Sequence, residues 1–71
     1  MYDHIPMGGD VYQSRYSPLI ATVDHTTRIG PNQYNVVYIS QGVTYPPCDL
    51  EQFLALFTLA QYQGVYFNGE E

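Results

Sequence analysis

Apolar and polar positions alternate with a period of two through the middle of the chain. Leu19, Ala21 and Val23 interleave with Ile20, Thr22 and Asp24, and β-branched residues continue through Thr26, Thr27 and Ile29. That pattern predicts one long strand. Gly30-Pro31-Asn32-Gln33 then reads as a turn. Pro31 presets φ at its second position, and Asn32 tolerates a left-handed third position. The chain returns as a strand from Tyr34 to Ser40, with Tyr34, Val36 and Tyr38 on one face and Val37 and Ile39 on the other. A two-residue turn pairs Ile29 with Tyr34, His25 with Tyr38 and Val23 with Ser40, and a slip of one residue exchanges the faces.

Gln41-Gly42 offers a second tight turn into a short strand, Val43-Thr44-Tyr45, which Pro46-Pro47 ends because proline donates nothing to a ladder. The period then changes to that of a helix. Asp49 is suited to cap it, and Glu51 and Gln52 occupy the first turn. Leu50, Phe53, Leu54, Leu56, Phe57 and Ala60 form one broad apolar stripe, and Gly64 supplies a left-handed stop. Val65-Tyr66-Phe67 reads as a last strand.

The expected class is therefore α+β: a small antiparallel sheet of three to four strands, with one helix packed on one face, in the order β-β-β-α-β. Residues 17–71 form the single domain of this reading, and residues 1–16 a partly ordered N-terminal arm rich in turn formers (Pro6, Gly8, Gly9, Asp10). Val11 to Tyr16 is a candidate extra strand.

Composition adds a direction. Eight tyrosines and no lysine occur among 71 residues. Lysine keeps ordinary surfaces hydrated, whereas tyrosine concentrates where proteins touch one another. A domain this small has little interior, so some rings are expected to remain outside, awaiting a second copy or a partner. The formal net charge is −5, with Arg15 and Arg28 the only Arg or Lys residues. Nucleic acid and anionic membrane surfaces require the opposite sign, and stacking of single-stranded bases on tyrosine rings needs a positive groove as well. A partner protein with a basic surface is favoured by the charge.

Catalytic signatures are missing from the pattern. Cys48, next to the helix start, can be activated by the helix dipole with His25 as base, but no third orienting residue accompanies them. A lone cysteine more commonly fills space. His4 and His25 show no metal-ligand spacing with Asp24 or Cys48, and Asp24 and His25, as strand neighbours, are expected on opposite faces. Asp24 and Arg28 are suited to a surface ion pair. Gly8-Gly9-Asp10 lacks the preceding strand and the Lys of a phosphate loop. The chain is thus expected to be neither an enzyme nor a cofactor or metal protein.

The candidate interaction residues are Leu59 and Tyr62 on the outer helix face, Tyr34, Tyr38 and Tyr66 on the sheet, and the acids Asp24, Glu70 and Glu71. With one cysteine, no signal-peptide pattern and no long apolar run, the expected setting is cytoplasmic (the host cytoplasm if the chain is viral). Size and charge are shared with bacteriophage inhibitors of host defence, the anti-CRISPR and anti-restriction proteins, an analogy of class with no motif behind it. The functional expectation is an acidic protein-binding module, an inhibitor or modulator of a basic, nucleic-acid-processing complex, with a homodimer expected. The alternative is a small structural subunit that self-associates or joins a larger assembly such as a virion.

Overall fold

Two turns built from the expected residues organise the centre of the molecule. The computed structural model describes residues 4–63, 65 and 66. Strands β1 (Val11–Ser14), β2 (Ile20–Gly30), β3 (Gln33–Ser40), β4 (Val43–Thr44) and β5 (Cys48–Asp49) precede helix α1 (Leu50–Leu56), and β6 (Phe57–Tyr62) and β7 (Val65–Tyr66) follow it. Between β2 and β3, Asn32 takes the left-handed region at φ 57°. Between β3 and β4, Gln41 and Gly42 both have positive φ, 54° and 77°. Two successive positive φ values define the primed turn whose twist matches that of the strands it joins.

The strands form one antiparallel sheet in the order β4-β3-β2-β1-β6-β7, with β5 also pairing β3. The α+β class agrees with expectation, but strand count and order do not. The segment assigned to an arm contributes β1, which lies inside the sheet between β2 and β6. The stretch assigned to the second half of the helix is β6, with Leu59 opposite Tyr12 and Phe57 opposite Ser14. Phe57, Thr58, Leu59 and Tyr62 include good strand formers, and the free edge of β1 gives their backbone a ladder that a longer helix would forgo. The helix therefore stops at Leu56, with Phe57 already extended at φ −130°, ψ 153°. Gly64, the expected stop, lies outside the described residues, as do Glu70 and Glu71.

Asp49 caps α1 as expected, accepting from the Glu51 N–H at 3.1 Å. The other end is capped across the chain. Arg15 N–H donates to Leu56 O at 2.8 Å and Arg15 Nε donates to Leu54 O at 3.1 Å, so one residue serves two terminal carbonyls that a helix end leaves unpaired.

The expected β2–β3 register holds only at the turn, where Gly30 faces Gln33. Irregularities lie between Arg28 and Gly30 and between Val23 and His25. Each extra residue shifts the pairing by one, so Arg28 faces Tyr34, His25 faces Val37 and Val23 faces Tyr38. The bulges keep Ala21 and Val23 on the same face as Val36.

That face is covered by α1. Tyr12, Ala21, Val23, Val36, Leu50, Phe53 and Phe57 form the core, with Ile5, Tyr34, Tyr38, Cys48, Leu54 and Leu59 packed at its margin. Aromatic contact dominates it: Phe53 stacks on Phe57 at 4.8 Å, Tyr12 meets Phe53 edge-on at 4.9 Å, and Tyr38 lies 5.4 Å from Phe53. Ring pairs at such distances add about 0.5–1.5 kcal/mol beyond their burial.

Candidate functional site: a buried carboxylate, a groove and an uncovered sheet face

Asp10 is completely buried, although the chain has no lysine and no arginine pairs with it. Its surroundings explain how the carboxylate is tolerated. Oδ1 accepts the Gln63 N–H from the turn after β6. Oδ2 accepts the Met7 N–H at 3.0 Å and lies 2.7 Å from His4 Nε2. The backbone of the same residue donates to Met7 O and accepts from Val23 N–H. One residue, through its side chain and its backbone, thus fastens the entering segment, β2 and the β6–β7 turn together. Gly8 permits the approach, because a Cβ there would sit 2.8 Å from Asp24 O.

Beside this anchor, on the helix side of β1 and β6, runs an open groove of about 270 Å³. Arg15 and Leu54 form one end, and His4 and Tyr62 the other. Tyr12, Phe57, Thr58 and Leu59 lie between. The His4 and Tyr62 rings meet edge-on at 4.7 Å. Burial pushes the Tyr12 phenol far above its ordinary value, and the nearby Asp10 charge and Tyr62 add to the shift. Tyr12 therefore stays protonated through the neutral range, as an uncharged part of the wall.

The comparisons with known proteins come out empty. No family model, no curated protein and no solved structure matches the chain.

The opposite face of the sheet has no cover among the described residues. Because Tyr12, Ala21, Val23 and Val36 face α1, their strand neighbours Val11, Ile20, Val37 and Ile39 face away. Ile20 is 46% exposed and the other three are half-buried. Thr22, directly between Val11 and Ile39 in the ladder, and Gln13, opposite Ile20, complete the patch.

The candidate residues read from sequence divide between these places. Leu59 and Tyr62 do come together, at the groove, but on strand β6 and not on an outer helix face. Leu59 is half-buried against the core, and Tyr62 is 38% exposed. Tyr34 and Tyr38 also pack against the core, and Tyr38 stacks on exposed Tyr45 at 5.0 Å with an 11° interplanar angle. Tyr66 falls in β7.

Asp24 lies at a bulge, which brings it onto the same side as His25. Its Oδ2 is 2.7 Å from His25 Nδ1, where strict alternation placed the two apart. Both side chains are exposed, and Arg28 donates to Gly30 O instead of pairing with Asp24.

Cys48 is half-buried, and its thiol contacts Asp49 O at 3.5 Å. Burial, then the Asp49 charge, push the thiol above its ordinary value, the reverse of the activation that a helix start suggested. Among the described residues no group of three or more His, Cys, Asp or Glu side chains is placed to hold a metal ion. No helix among them is long and apolar enough to cross a membrane.

Sequence reasoning named none of Asp10, His4 and Arg15 as an interaction residue. The clue was present in part: an acid directly before a β-prone segment, in a chain poor in charge, is worth asking where its charge goes.

Proposed function

We propose that the protein is a binding module that acts by covering part of another protein, with the uncovered face of β1, β2 and β3 as its contact surface. One observation carries the reading: Val11, Ile20, Val37 and Ile39 occupy outward positions where a solvated antiparallel face ordinarily alternates to polar residues. A net charge of −5 favours a partner whose surface is basic, and the protein then acts as an inhibitor or modulator by occupying that surface. Nucleic-acid-processing proteins present such surfaces, which keeps the anti-defence role of small phage proteins within this reading.

The same face also suits a second copy of this chain, the arrangement expected of a small structural subunit. Its charge sets the two apart. Association with a basic partner slows as salt rises, whereas an apolar pairing of identical acidic chains is strengthened by screening.

Ile20→Glu tests the surface. The substituted residue is already half in water, so the fold is retained, as circular dichroism and a urea midpoint will show. Binding to a candidate basic partner, or self-association in sedimentation, falls at least tenfold. Unchanged association with an intact fold removes the face from consideration.

A further inference from the structure

We infer that the groove between Arg15 and Tyr62 is a binding site for a small carboxylic acid with an apolar tail. It lies on the helix side of the sheet and is independent of the contact face proposed above.

In a chain with seven acids, the Arg15 guanidinium pairs with no carboxylate among the described residues, where Asp10 and Asp24 are met by His4 and His25. Its Nε donates to Leu54 O and its backbone N–H to Leu56 O, which holds the residue at the groove end and leaves the terminal nitrogens out of that bond. A fixed guanidinium suits a carboxylate, which it can bind through two parallel hydrogen bonds.

Beyond that end the wall becomes apolar, with Leu54, Phe57 and Leu59, and Tyr12 beneath. Arg15 directly follows β1 and Tyr12 lies three positions before it, a span of at most roughly 10 Å, which limits the length of the tail. The volume, about 270 Å³, is below the roughly 300–1,000 Å³ of sites for drug-sized molecules, so the ligand is small.

The one buried carboxylate nearby does not compete. Asp10 precedes β1 and Arg15 follows it, so the four residues of the strand separate the two charges. Both of its oxygens are engaged, by Gln63, Met7 and His4.

Octanoate matches the charge and the length. Titrated into the isotope-labelled protein, it will shift the amide resonances of Arg15, Leu54, Thr58 and Leu59 and saturate at millimolar concentration or below. Octanol and octylamine, of the same length without the negative charge, will bind at least tenfold more weakly. Arg15→Gln will lose about tenfold in octanoate affinity and leave octanol binding unchanged, while Arg15→Lys retains part of the preference. A urea midpoint for each variant shows whether the helix end still holds, and Arg15→Lys serves if Arg15→Gln unfolds. Equal binding of octanoate and octanol, shifts that fall outside the groove, or no saturation at all overturns the assignment.

Discussion

His4 Nε2 lies 2.7 Å from the Oδ2 atom of Asp10, a carboxylate with no exposed surface. The imidazole shares Oδ2 with the Met7 N–H, while Oδ1 accepts from the Gln63 N–H. Asp10→Ala is therefore expected to destabilise the fold by about 2 kcal/mol, because two backbone N–H groups lose the buried carboxylate that accepts from them. Asp10→Asn keeps an acceptor and costs less. Urea unfolding followed by circular dichroism measures both, and an Asp10→Ala variant as stable as the parent would refute the anchoring role.

Leu59→Glu is expected to lower stability by about 2 kcal/mol, since the side chain packs at the core margin opposite Tyr12. Had Leu59 lain on an outer helix face, the substitution would leave the isolated protein unaffected. The same unfolding experiment separates the two placements.

Gln41 holds φ 54° in a two-residue turn where asparagine is the favoured residue. Gln41→Asn should raise stability by about 0.5–1 kcal/mol, seen as a higher melting temperature with the sheet unchanged. A drop would mean that the Gln41 side chain contributes something the turn geometry does not explain.

Alkaline conditions should unfold the protein through Tyr12. Burial raises its phenol above the ordinary 10.0, so the folded state resists ionisation that the unfolded chain accepts. The sign follows: this contribution is complete below pH 10.0 and declines as pH climbs beyond it. Tyr38, raised by burial and by Cys48 and Tyr45, adds a smaller effect of the same sign. A plot of urea midpoint against pH should fall above that point, and Tyr12→Phe should make the fall shallower.

Cys48 should react with iodoacetamide at pH 7.5 more slowly than the same protein in urea, because its thiol is raised from the ordinary 9.0. Equal rates in the two states would contradict the shielding. Cys48→Ser is expected to leave the fold and any binding intact.

Local chemistry was legible in the sequence, and long-range pairing was not. Pro31-Asn32, Gln41-Gly42 and Asp49 each carry their conformation in their own covalent structure, and each is found where the residues placed it. The end of α1 is different. Phe57 sits one turn after Phe53 and stacks on it, so it satisfies the helical stripe while being the first residue of a strand. Periodicity alone does not separate those states, and the deciding partner, β1, is distant in sequence. The bulges at Asp24 and Ile29 are equally silent in an alternating pattern, yet they decide that Asp24 meets His25. Candidate surfaces inherited these errors: Leu59 and Tyr62, expected on the helix, lie on β6, and the Asp10 anchor depends on Gln63, which no local reading connects to it.

The position of β1 has a consequence for assembly. Its neighbour β2 follows directly, but β6, its other neighbour, emerges from the ribosome only after β2 to β5 and the helix. During that interval β1 is a template with a vacant side, and a tail from another copy can fill it with the same hydrogen bonds as its own. Crowding at the moment of synthesis would then decide between lone molecules and entwined pairs. Refolding at dilute and at concentrated protein, followed by size-exclusion chromatography, reads out that choice, and a single species at every concentration would rule out the exchange.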